Sequence, residues 1–171
     1  MRLPVISKAL QRYRVSRGYG VHSPFAYRFI IRVLRETLPY YGFDRLNSLR
    51  GDMSAADARL LFRITDFFRP ATVCVTGTHA AQARSIILAA APRTRFTDTP
   101  EGADMTVAAA PLSAEGLADV RCPVIMTTRC PEPLWQHAID TSARAMTFTN
   151  GRTGVIVNRS GLPRHDYRLR F

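Results

Sequence analysis

The feature that most constrains this chain is the run Thr72-Val73-Cys74-Val75-Thr76, continuous in β-branched and small apolar residues and closed at once by Gly77. Such a run lacks the apolar–polar alternation of a half-exposed strand and reads as a strand buried on both faces, as in parallel sheets. An alanine-rich helix is predicted from about His79 to Ala90. Then come Thr94-Arg95-Phe96-Thr97, a short strand ending at Asp98, and Met105 to Ala109, a further strand. A polar helical stretch, Ser113 to Val120, leads to Val124-Ile125-Met126-Thr127. Strands alternating with helical segments predict an α/β fold on a mostly parallel sheet.

The C-terminal part changes character. Ala145 to Thr149 and Thr153 to Val157 flank Asn150-Gly151, a strong hairpin signal because both turn residues tolerate positive φ. The mostly parallel sheet should therefore end in an antiparallel hairpin. In the tail, Tyr167, Leu169 and Phe171 alternate with Arg168 and Arg170, so one side can pack while the other meets water.

Two or three helices should precede the first strand. A short basic helix is plausible from Ile6 to Tyr13. Ser23-Pro24 is a helix start, with serine as cap and proline in the first turn. Phe25, Phe29, Ile30, Val33 and Leu34 then form one apolar stripe, with Arg28, Arg32 and Arg35 on the opposite side. After Pro39-Tyr40-Tyr41-Gly42 a polar connection leads to Ser54, a second cap with Asp57 three positions on. Leu60, Leu61, Ile64 and Phe67-Phe68 make the next apolar face, which stops at Pro70.

A chain of 171 residues accommodates one domain, and 46% hydrophobic against 22% charged residues supports a packed core. The division expected is a helical segment over 1–70 packed on a sheet domain over 71–171, the two forming one unit. The N-terminus lacks the apolar stretch of a signal peptide, and no run approaches the roughly eighteen apolar residues of a membrane span, so the expectation is a cytoplasmic protein without a membrane partner. Cys74, Cys122 and Cys130 form no CxxC pair and read as reduced thiols, Cys74 as a core residue. The four histidines lack ligand spacing, so no metal site is expected. No GxSxG elbow or phosphate-binding loop is present. His79, directly after Gly77-Thr78, could meet an anionic ligand or serve as a capping or surface residue.

The net charge of +11 is uneven. Residues 1–50 carry nine Arg and one Lys against two acids, residues 51–150 nine Arg against ten acids, and residues 151–171 five Arg against one. The basic ends could attract nucleic acid or another polyanion, although an arginine-rich composition can also arise from genome composition alone. Aromatic residues interleave with these arginines at Tyr13, Tyr19, Phe25, Tyr27 and Phe29. Phe25 and Phe29 read as core by spacing, leaving chiefly Tyr13 and Tyr19 for stacking.

The segment Gly20-Val21-His22-Ser23-Pro24-Phe25-Ala26-Tyr27 resembles the N-terminal stretch of a group of bacterial class I S-adenosylmethionine-dependent methyltransferase-like proteins. Phe68 to Thr72, Trp135 and the closing stretch Leu162 to Phe171 extend that resemblance almost end to end. It implies a Rossmann-like methyltransferase sheet whose first strand ends in an acid followed by a glycine-rich turn. Here Val75 takes the acidic position, Gly77-Thr78 survives, and Ala81 replaces a second glycine. Asp98 matches the acid that binds the ribose hydroxyls in such proteins, or else is a solvated turn residue beside Thr99-Pro100.

Only Thr99 to Asp104 separate Asp98 from the next strand, too few for a parallel crossover, so the family's third strand should be missing. Ala109 and Thr127-Thr128 replace further acids, removing groups for acid–base or metal-assisted methyl transfer. The resemblance thus implies a degenerate methyltransferase-fold protein, in which S-adenosylmethionine binds weakly through Gly77, Thr78 and Asp98 or not at all, and which acts by binding. Two alternatives stand beside it, a minimal active methyltransferase and a basic nucleic-acid-binding module. Loss of the third strand would expose the second as an edge, to be covered by an N-terminal helix or by a homodimer.

Overall fold

The computed structural model of the chain describes residues 5–36, 43–108, 124–128, 132–141 and 146–171. The order of elements is α1 (Val5–Ser16), α2 (Pro24–Phe29) running into a π-helical turn (Ile30–Leu34), α3 (Phe43–Leu49), α4 (Ala55–Phe68), β1 (Thr72–Thr76), α5 (Ala80–Ala90), β2 (Arg95–Thr97), β3 (Met105–Ala108), β4 (Val124–Thr128), α6 (Glu132–Thr141), β5 (Met146–Thr149), β6 (Thr153–Val157) and β7 (His165–Arg168). The predicted helix Ser113 to Val120 and the position of Ala109 lie outside the described residues.

One seven-stranded sheet has the order β2-β1-β3-β4-β6-β5-β7. Strands β2, β1, β3 and β4 are mutually parallel, β6 runs antiparallel to both β4 and β5, and β7 lies parallel to β5. The protein is therefore α/β, with a parallel half and an antiparallel hairpin, as the strand runs predict. Residues 98–104 join β2 to β3 directly, with no strand or helix between them.

Side chains alternate across the sheet, and each face has its own cover. Val73, Val75, Met105, Val107, Phe148, Val155 and Tyr167 share a hydrophobic cluster with the buried faces of α2, the π turn, α4 and α5. Phe29 sits at its centre, fully buried, with its ring 4.8 Å from that of Phe148, which stacks in turn on Tyr167 at 5.2 Å. The helices of the first seventy residues thus share one core with the sheet. On the opposite face Ile156 is buried and Gly154 lies against Trp135 of α6. A Cβ on Gly154 would fall 2.2 Å from the Trp135 ring, so only glycine admits the indole there.

Local chemistry explains the helix boundaries. Ser23 caps α2, its Oγ accepting from the Ala26 N–H, and Ser54 caps α4 in the same way through Asp57. The π turn is closed by an Arg35 N–H to Ile30 carbonyl bond of 2.9 Å, five residues apart. It keeps Phe29, Ile30, Val33 and Leu34 buried while Arg28 and Arg32 stay exposed.

Three expectations need correction. Residues 43–49 form α3 instead of a polar connection, because Leu46 and Leu49, three apart, both reach the core. The hairpin strands end where expected, at Thr149 and Thr153, but only Gly151 of the Asn150-Gly151 pair takes a positive φ. Asn150 keeps a negative φ while Gly151 takes φ 90, and the Asn150 Oδ1 accepts from the Arg152 and Thr153 N–H groups at 2.9 and 2.8 Å. Finally, α1 does not cover the β2 edge. It lies at the opposite edge, where the Ser16 Oγ accepts from the Arg170 N–H at 2.9 Å beside β7. The shortness of β2, three residues, blunts its own edge.

Candidate functional site

The parallel order places the chain reversal between β1 and β3, the crevice where open α/β sheets receive ligands at the carboxyl ends of their strands. Gly77 and Thr78 lead from β1 into α5 there, Gly77 at φ 101, a conformation that a side chain would strain. Asp98 follows β2, whose Thr97 is level with Cys74, so Asp98 emerges at the same edge of the sheet. The structure thus brings the three sequence-predicted residues to one edge, all exposed.

Val75 and Ala81, which stand where the resemblance would place an acid and a glycine, occupy other environments. Val75 is buried in the helix-covered cluster, so its side chain serves the core. Ala81 is exposed on the first turn of α5. The loop between α3 and α4 reaches this turn from above. A Cβ on Gly51 would lie 3.2 Å from the Gln82 amide, and an Asp52 carboxylate oxygen lies 3.1 Å from His79 Nδ1. Thus the anion that His79 meets is the protein's own Asp52, directly before the N-terminus of α5.

Behind the edge, burial pushes the Cys74 thiol up from its ordinary value; the nearby Arg84 opposes this and Asp98 adds to it. A protonated, buried thiol is a poor nucleophile. Arg84 also lies over the Phe96 ring at 5.2 Å, tying α5 to β2. Among the described residues no group of three or more His, Cys, Asp or Glu side chains could hold a metal ion.

No family model matches the chain, and no curated protein or solved structure matches it.

A second region was not anticipated from the sequence. Helices α2 and α4 run antiparallel, Phe25 at the start of α2 meeting Phe67 and Phe68 at the end of α4. The outer groove between them holds two clefts. One, of about 440 Å³, is lined by Arg28, Arg32, Arg63 and Arg159 with Phe25 and Phe67. The other, of about 390 Å³, is lined by Arg35, Arg59, Arg63 and Arg170 with Phe171. Arg63 belongs to both and donates to the Glu36 carbonyl, which fixes its position across the groove. Two of these arginines, Arg59 and Arg63, come from the middle of the sequence, whose charge is nearly balanced. Phe25, read as core, does pack against the core cluster, stacked on Phe29 at 6.0 Å, and is half-buried where it also lines the groove.

No described helix is long and apolar enough to cross a membrane.

Proposed function

We propose that this is a degenerate class I methyltransferase-fold protein that works by binding a partner and not by methyl transfer. The strand order supports the fold assignment, because β2-β1-β3-β4 reads as the 2-1-4-5 part of the doubly wound order 3-2-1-4-5-6 with its third strand gone. The direct link of residues 98–104 leaves no place for that strand. The resemblance of Gly20 to Tyr27 to the N-terminal stretch of such proteins supports the same assignment.

The observation that carries the loss of activity is the fate of the crevice. Val75, at the expected acidic position, is committed to the core, and Asp52 already brings a carboxylate to the turn that opens α5. Of the positions expected to bind a cofactor, Gly77, Thr78 and Asp98 remain exposed at this edge. S-adenosylmethionine would be held there by the Gly77-Thr78 backbone and by Asp98 on its ribose, while Val75 stands where an acid is expected to orient its amino group. The competing reading, a minimal methyltransferase, draws its support from these three residues sharing one edge and from proximity as a source of rate.

Calorimetric titration with S-adenosylmethionine and S-adenosylhomocysteine decides between the two. The expected result is no heat of binding at millimolar ligand. Binding that Asp98→Ala abolishes would overturn the proposal and establish the minimal enzyme.

A further inference from the structure

We infer that the groove between α2, with its π turn, and α4 is a binding site for single-stranded nucleic acid. The inference deepens the binding reading above and rests on it. Its first support is charge. The two clefts that meet at Arg63 gather seven arginines against three acids, Glu36, Asp57 and Asp66. Two of the acids are engaged within the fold. Asp57 accepts from the Ser54 hydroxyl at 2.6 Å and from the Thr153 hydroxyl at 3.1 Å, and Asp66 lies 3.4 Å from the Arg69 guanidinium. The lining of the groove therefore carries a net positive charge, with Arg28, Arg32, Arg159 and Arg170 at exposed positions.

The second support is arrangement. Arg28, Arg32 and Arg35 follow one another along one wall, through the π turn, and Arg59 and Arg63 lie one α-helical turn apart along the other, with Cβ atoms about 5–6 Å apart. Rows of planar guanidinium forks suit a chain of regularly repeated phosphates, each of which can accept two parallel hydrogen bonds. From Asp57 to Phe67 the groove follows α4 for about 15 Å, at 1.5 Å per residue.

The third support is the phenyl rings. Phe25 and Phe67 are half-buried, 6.3 Å apart and steeply inclined, and both line the same cleft as Arg28 and Arg32. Aromatic rings beside a cationic track offer stacking to unpaired bases, which a duplex keeps inside its helix. An acidic peptide would answer the arginines but would leave the rings unused.

Fluorescence anisotropy of labelled oligothymidylate and oligouridylate with the full chain tests the site. Both should bind at low salt, with affinity falling steeply as salt rises. Arg32→Ala should reduce the slope of log affinity against log salt by about 0.7, the share of one phosphate on a single strand. Arg32→Glu and Arg159→Glu, at exposed positions where circular dichroism should show an unchanged fold, should each weaken binding by about tenfold. Arg12→Glu, the same charge change on α1 outside the groove, should cost less than about twofold.

Three results would overturn the assignment: no binding at low salt, a loss from Arg12→Glu equal to that from Arg32→Glu, or displacement by polyglutamate as effective as by unlabelled oligonucleotide. The cofactor titration on the same preparation separates the two failures. Absent oligonucleotide binding with a silent titration removes only this site, whereas cofactor binding removes the binding-protein reading itself.

Discussion

The two ends of the β1, β2 and β3 strands are built differently. At their amino ends, the Asp104 carboxylate accepts from the Ala71 and Thr72 N–H groups, both at 2.9 Å, and from the Thr72 hydroxyl at 3.1 Å, while the Thr94 hydroxyl donates to the Pro70 carbonyl at 2.9 Å. At the carboxyl ends, Thr76, Gly77, Thr78 and Asp98 are exposed. The fold is thus tied together at the end that a cofactor would not touch. A chain built this way can lose the chemistry of its crevice without losing its sheet, which is the history the proposed function requires.

The largest expected effect tests the tied end. Asp104→Ala removes a carboxylate with three bonded donors and leaves the Thr72 N–H with a lost partner at a half-buried site. Hydrogen bonds to a charged acceptor contribute about 1.5–3 kcal/mol each, and solvent reaching Ala71 recovers part of the loss, so a drop of about 2–3 kcal/mol is expected in urea unfolding. A change below about 0.5 kcal/mol, the range of ordinary surface substitutions, would show that this end is not the tie.

How much of this could be read from the residues alone follows from the range of the interactions involved. The run Thr72 to Thr76, the capped starts at Ser23 and Ser54 and the hairpin around Gly151 are local signals, and each forms its element. The tail alternation also holds, with Tyr167 and Leu169 buried and Arg168 and Arg170 exposed. By contrast, Leu46 and Leu49 gave α3 a stripe too short to separate from a loop. The π turn is invisible in the pattern, since Phe29, Ile30, Val33 and Leu34 suit an α-helix equally well.

Gly77, Thr78 and Asp98 were legible because each follows a recognisable strand, and a parallel sheet carries such positions to one edge. The arginine groove was not. Its side chains come from residues 28–35, 59–63 and 159–170, and only the packing of α2 on α4 brings them together. Arg59 and Arg63 lie within a stretch, residues 51–150, whose charge is nearly balanced.

A smaller effect bears on the core that joins the two ends. Tyr167 is buried against Phe148, and burial raises its phenol above the ordinary value of 10.0. The unfolded chain then releases this proton at a lower pH than the folded one. The contribution is fully present below the unfolded value and is lost as pH rises through the folded one. Stability should therefore decline as pH climbs past about 10, and Tyr167→Phe should flatten that part of the profile. An identical alkaline decline in the variant would place its origin elsewhere.

The smallest expected effect lies at the open end. Asp98→Ala alters an exposed residue after the last position of β2, with no hydrogen bond from its side chain among the described residues, and should change unfolding free energy by less than about 0.5 kcal/mol. Set beside Asp104→Ala, it asks whether the contrast between the ends is energetic or only geometric. The two carboxylates stand near opposite ends of the same three strands, so equal losses would mean that Asp98 also ties the sheet, and its place at the crevice would then be structural. A negligible loss leaves Asp98 available to a ligand, and the cofactor titration then reports on binding without interference from folding.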